Sequence, residues 1–211
     1  MKRNLIIFIL GLTFKNLLAQ PFFGSIEFIN VTEKDTTTNI YWVKDEMVKL
    51  DHMNKKGKGV EGSFLFNFQA SNIKFIYPAR KMWGNQKSEI PAVLKGTCEV
   101  TRGKATKKIA GFTCNEFTVK NAEENTIITY WICEKNFDFF LKVLKLWNRK
   151  DRQSVYYNQI KNLPLGSMPF LSIEKSISDN KVLSILEVTK VDNTLPSLST
   201  FKIPSVYTKF E

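Results

Sequence analysis

The chain reads as an α+β protein: a curved antiparallel β-sheet packed against one main amphipathic helix. Two observations predict this. Three separate segments fold back on themselves as hairpins whose cross-strand partners gather apolar side chains on one face. One stretch, Phe137 to Trp147, instead repeats its apolar residues at helical spacing.

The elements follow in chain order. Lys2 and Arg3 precede an apolar run from Leu5 to Phe14, and Leu17-Leu18-Ala19-Gln20 leads into Pro21. This predicts a secretory signal peptide over residues 1–20, cleaved near Ala19 or Gln20. Lys15 ends the run well short of the roughly 20 apolar residues a membrane span needs, and no cysteine at the cleavage site invites lipidation. Residues 21–211 contain no Pro/Gly/Ser-rich linker and no repeat, so they are expected to form a single domain. Losing Lys2, Arg3 and Lys15 with the leader lowers the formal net charge from +11 to +8. Such a charge favours anionic partners. In an exported chain without a nucleic-acid motif, an anionic envelope surface is a more natural partner than nucleic acid, and simple solubility accounts for the charge equally well.

Phe22 to Val31 and Thr37 to Asp45 are β-rich runs, with Glu46 to Asp51 continuing the second, and Asn54 to Gly62 is a polar loop. Ser63 to Pro78 forms a hairpin about Ala70-Ser71 in which Phe68 faces Ile73, Phe66 faces Phe75 and Phe64 faces Tyr77. The most specific hairpin is Lys108 to Glu134, turning at Ala122-Glu123-Glu124-Asn125. If Asn121 faces Thr126, then Val119 faces Ile128, Phe117 faces Tyr130 and Cys114 faces Cys133, with the cysteines on the polar face. An exported compartment favours a Cys114–Cys133 disulfide, which would add about 3 kcal/mol. The other reading is a pair of reduced cysteines acting as small hydrophobes. Cys98 is left over and is expected to be buried.

Asn136 is the expected N-cap of the helix. Phe137, Phe140, Leu141, Leu144 and Trp147 form its apolar face, widened by Phe139, Val143 and Leu146. Lys142, Lys145 and Arg149 line the opposite side, with Lys150 and Arg152 beyond, and form a candidate docking surface for anionic lipid headgroups. A third hairpin spans Phe170 to Val191, pairing Leu171 with Val188, Ile173 with Leu186 and Ile177 with Val182.

Enzyme chemistry finds little purchase. His52 is the only histidine, and no Cys or carboxylate cluster has metal-ligand spacing, so no metal and no cofactor is expected. Ser167 lacks the flanks of a nucleophile elbow, and no phosphate-binding glycine fingerprint occurs. The chain is therefore read as non-enzymatic.

Lys108-Ile109-Ala110-Gly111-Phe112-Thr113-Cys114, Thr129-Tyr130-Trp131-Ile132-Cys133, Gly166 to Pro169 and Phe201-Lys202-Ile203-Pro204-Ser205-Val206-Tyr207 together resemble domain-of-unknown-function family 4412, exported bacterial proteins without an established activity. Such domains are similar in outline to the periplasmic lipoprotein carriers of the LolA/LolB type. The resemblance implies an open half-barrel closed by helices, a periplasmic or secreted location, and no catalytic residues. On this reading the concavity takes a lipid or lipidated peptide, lined by Phe64, Phe66, Phe68, Phe75, Tyr77 and Trp83. The alternative is a structural or protein-interaction module of the envelope whose concavity is filled by its own side chains.

Overall fold

The computed structural model describes residues 20–210 except 55, 56, 58 and 91. The predicted leader, apart from Gln20, lies outside the described residues. The strands are β1 (Gly24–Thr32), β2 (Thr36–Lys44), β3 (Met47–Met53), β4 (Val60–Asn67), β5 (Asn72–Tyr77), β6 (Met82–Gln86), β7 (Glu99–Ile109), β8 (Phe112–Asn121), β9 (Thr126–Glu134), β10 (Ser167–Ser176), β11 (Val182–Asp192) and β12 (Thr208–Lys209). The helices α1 (Asp138–Trp147) and α2 (Arg152–Tyr157) lie between β9 and β10.

All twelve strands join one sheet in the order β12-β6-β5-β4-β3-β2-β1-β11-β10-β9-β8-β7. Every pairing is antiparallel except that of β12 with β6. The fold is thus mostly β, with α1 as its main helix. The run expected to continue through Asp51 is broken instead at Asp45, whose φ of 52° turns the chain so that β3 pairs back on β2. A short polar side chain tolerates that left-handed conformation.

The register of β8 with β9 is the one the sequence implies, from Asn121↔Thr126 to Asn115↔Ile132. The β4/β5 hairpin differs by two residues: Phe66 faces Ile73 and Phe64 faces Phe75. A shift of two leaves every side chain on its expected face. The turn is Phe68 to Ser71, closed by Asn67 Oδ1 accepting from the Ala70 amide at 2.8 Å and by Ser71 at φ 48°. The β10/β11 hairpin slips by one, with Ile173 facing Ile185 and Leu171 facing Glu187. Next to the turn the slip is two, with Lys175 facing Val182, and the bulge between Glu174 and Lys175 brings it to one. Because β10 is buried on both faces along most of its length, alternation did not constrain this pairing.

The structure forms no Cys114–Cys133 disulfide. Cys114, Cys133 and Cys98 are all free thiols. The β8/β9 ladder stops at Asn115↔Ile132, one residue short of the cysteines. On their outer sides Cys114 is registered with Lys107 on β7 and Cys133 with Met168 on β10, while the two thiols themselves are neighbours within hydrogen-bonding reach. Neither cysteine is on a polar face: both are fully buried in the core cluster with Phe137, Met168 and Phe170. Cys98 is only partly buried.

The concave face carries two apolar clusters. One gathers Ile26, Phe28, Tyr41, Val43, Leu50 and Phe66 against Phe139, Val143 and Trp147 of α1. The other gathers Phe117, Val119, Ile128, Tyr130 and Ile132 against Leu144, with Val155, Tyr156 and Tyr157 of α2. The cap of α1 is Phe137, not Asn136; Asn136 turns the chain at φ 41°. The Phe137 amide donates to the Gly166 carbonyl (2.9 Å) and the Phe22 amide to the Asn136 carbonyl (2.8 Å), so the helix start is pinned from two sides. A Cβ on Gly166 would sit 2.6 Å from the Asn136 nitrogen, at a φ of 80°, which only glycine accommodates. The short α2, which the sequence reading missed, starts at Asp151, whose side chain accepts from the Ser154 amide at 3.0 Å.

On the convex face the C-terminal segment packs Phe201, Ile203 and Tyr207 over Leu65, Ile76, Trp42 and Trp83. It ends by adding β12 to the free side of β6. Phe201 is 5% exposed, so Phe201→Ala should destabilise the fold by about 3 kcal/mol, read as a lower urea midpoint with unchanged slope. Alkylation under denaturing conditions without reductant should modify all three cysteines, as seen in the intact mass; a mass lacking two alkyl groups would restore the disulfide.

Candidate functional site

Between the two clusters, under α1, the concave face keeps a cavity of about 310 Å³. Phe28, Tyr41 and Leu50 come from β1 to β3, Tyr130 from β9 and Leu186 from β11; Phe140, Val143, Leu144 and Trp147 of α1 roof it. The mouth is polar. Asn148 adopts φ 56° and ends α1, so Arg149 and Asp151 follow at the rim instead of one turn further along the helix. Arg149 Nε meets Asp151 at 2.9 Å, and its guanidinium lies over the Trp147 ring at 4.6 Å. Arg152 Nη1 meets Glu174 at 3.2 Å. Glu174 also accepts from Ser184 Oγ, which accepts from Gln153 Nε2, while Ser172 Oγ donates to Gln153 Oε1.

On the other wall His52 Nδ1 is hydrogen-bonded to Asn39 Oδ1, and the ring stands edge-on to Phe64. Burial, and then the Arg149 charge, hold the His52 pKa below its usual value, with Asp51 and Glu61 opposing. Burial pushes the Tyr41 phenol up to about 12. The rim therefore offers neutral hydrogen-bonding groups and two arginines already engaged with carboxylates.

The expected cavity aromatics are placed otherwise. Phe64 and Phe66 stand behind the cavity, with ring centroids 4.3 and 5.4 Å from that of Trp147. Phe75 stacks on Tyr77 and meets Phe64 at a tilt, and Phe68 lies under Lys142. Trp83 belongs to the convex cluster beneath the C-terminal segment. None of the six lines the cavity. The side chains that do line it come from β1, β2, β3, β9, β10, β11 and the helices. Residues so scattered leave no local spacing signal; the helical repeat of Phe140, Leu144 and Trp147 was the one part legible beforehand.

The basic residues do not form one free stripe. Lys142 binds Glu46 at 2.9 Å, and Arg149 and Arg152 turn to the cavity mouth, while Lys145 and Lys150 are exposed.

His52 gives a pH test. Its folded pKa lies below the unfolded value of about 6.5, so the unfolded chain binds a proton first as pH falls, and the associated stability is present above that value and lost below it. The single histidine resonance should titrate below 6.5. His52→Gln should flatten the pH dependence of stability between pH 7 and 6; an unchanged slope would assign it to other groups.

No family model matches the chain, and no curated protein does. The resemblance to family 4412 therefore rests on its motifs. Among solved structures, MucB in complex with MucA(peri) aligns over 87% of this chain at 9% identity, with a TM-score of 0.51. The MucA/MucB complex of Pseudomonas aeruginosa aligns equally well, at the same identity and TM-score. The chain spans just over half of those chains, 54% and 56%. A LolA-superfamily protein from Nitrosomonas europaea aligns over 88% of this chain and 91% of its own, at 9% identity and a TM-score of 0.35. At such identities the MucB likeness is one of fold: an open antiparallel sheet with its concave face covered.

Proposed function

We propose that this is an exported, non-enzymatic protein of the cell envelope, periplasmic or secreted, that holds a hydrophobic ligand, a lipid or lipidated peptide, in the cavity beneath α1. The observation that carries the reading is that cavity: an apolar interior of ligand size with a polar mouth. The leader pattern of residues 1–20 supports export. Among the described residues no helix is long and apolar enough to cross a membrane, and no group of histidine, cysteine and carboxylate side chains is set to hold a metal. Exposed Lys145 and Lys150 on the α1 side supply the charge for an anionic envelope surface.

The alternative, a protein-interaction module, has its own support. β7 is eleven residues long, ends the sheet, and is exposed along nearly its whole length. Arg102, Lys104, Lys107 and Lys108 lie along it, which suits an extended acidic segment added as a further strand. MucB, whose fold is shared, forms a complex with MucA.

Lipid extraction and native mass spectrometry of the purified protein, with binding of a fluorescent fatty acid, separate the two. Leu186 lines the cavity from β11, so Leu186→Trp should fill it and weaken fatty-acid binding more than tenfold. Phe75→Leu, behind the cavity wall, should leave binding unchanged. Protein that carries no lipid and binds no fatty acid would remove the carrier reading and leave the interaction one.

A further inference from the structure

Ahead of β1, Phe22 anchors the chain to the start of α1. Its amide donates to the Asn136 carbonyl at 2.8 Å, and its ring packs on Phe137 and Phe139 with centroids 5.0 and 6.1 Å apart. Gln20 and Pro21 lie just before that anchor and are exposed. The leader pattern decides what Gln20 is in the mature chain. A small residue precedes the cut in such leaders, which selects Ala19 over Gln20 as the last residue removed. Cleavage there makes Gln20 the N-terminal residue.

An N-terminal glutamine is chemically poised to cyclise. Its free α-amine attacks its own side-chain Cδ, so that a C–N bond forms and the Cδ–Nε2 bond breaks. The proton that the amine gives up leaves with Nε2 as ammonia, and the product is a neutral γ-lactam, pyroglutamate. Nothing is oxidised or reduced and no co-reactant is needed. Attack requires the unprotonated amine, and at an ordinary α-amino pKa of about 7.7 to 8.0 roughly a tenth is in that form at pH 7. An open Gln20-Pro21 start has proline in second place, the pattern cut by X-Pro dipeptidyl peptidases, which require a free terminal ammonium. Their cut would turn the Phe22 amide into an ammonium beside the first turn of α1, where the helix dipole disfavours positive charge.

Resting on the export reading, we propose that Gln20 is a modification site: the mature protein begins with pyroglutamate formed from Gln20, and this neutral cap protects the Phe22 anchor of α1. Ring closure moves only the side chain and amine of Gln20, both ahead of the first anchored residue, so the fold need not open for it.

The test starts from the full chain, leader included, secreted into a bacterial periplasm, purified and incubated at neutral pH. The intact mass should become that of residues 20–211 less one ammonia. Edman degradation should give no sequence until pyroglutamyl peptidase opens the terminus, and should then read Pro21-Phe22-Phe23. Gln20→Asn keeps a side-chain amide but offers only a smaller, strained ring, so it should stay open and readable. An X-Pro dipeptidyl peptidase should leave the wild-type chain intact and shorten Gln20→Asn to Phe22, and the shortened chain should unfold at a lower urea midpoint. A mature chain that keeps its ammonia, or one that starts at Pro21 or Phe22, would overturn the modification while sparing export. A chain that still carries its leader would sink both. Gln20→Asn protein that resists trimming, or that keeps its midpoint once trimmed, would overturn the protective role.

Discussion

Everything in this molecule depends on how α1 covers the concave face of the sheet. Twelve strands at about 4.8 Å spacing make a sheet some 50 Å across, whereas a helix is about 10 to 12 Å wide and α1, ten residues long, is about 15 Å in length. One such helix cannot shield an open sheet of that width. The sheet must curl, and its own aromatic side chains must fill what the helix leaves. That is why the core splits in two, with Val143 and Trp147 serving one cluster and Leu144 the other. The cavity is the space where neither cluster reaches the middle of the helix.

The same constraint explains why the entrance to α1 is so firmly fixed. Rotating the helix by one residue would withdraw Trp147 from Phe64 and Phe66 and drive polar positions into the clusters. Gly166, Asn136 and Phe22 hold its first turn by backbone hydrogen bonds, which fix orientation more rigidly than apolar packing, a non-directional force. The tyrosines of the second cluster add anchors of the same kind: Tyr130 donates to the Gln153 carbonyl at 2.8 Å and Tyr157 to the Ser167 carbonyl at 3.0 Å. Each large ring thus fills volume at one end and satisfies its hydroxyl at the other.

What could be read from sequence tracked how one-sided each element is. The β8/β9 register was legible because Phe117, Val119, Ile128 and Tyr130 face the core while Lys120 and Thr118 do not. On β10, with both faces covered, alternation carries no register information, and the bulge at Glu174/Lys175 cannot be seen in composition. β7 was missed beyond its last residues because an exposed edge strand of Thr, Lys and Arg has no apolar face to reveal it. β6 was missed, although it pairs with the adjacent β5, because its five residues, Met82 to Gln86, include Gly84, Asn85 and Gln86 and carry no apolar alternation. The Phe64 hairpin was recognised as apolar, but rank of hydrophobicity could not say whether it lined a cavity or backed one. That distinction depends on where α1 lands.

The placement of the C-terminal segment limits where this protein can bind anything. With Phe201, Ile203 and Tyr207 over the convex face and β12 along β6, one apolar patch and one edge are consumed by the chain itself. Among the described residues, two surfaces that stay open are the cavity mouth and the outer edge of β7. They differ in physics. Transfer of an apolar chain into the cavity is driven by removing hydrocarbon from water, which salt weakens little or even strengthens. Docking on the lysines of β7 is a surface electrostatic interaction that fades as ionic strength shortens the screening length. The response of binding to salt therefore reports which surface a given partner has found, before any residue is changed.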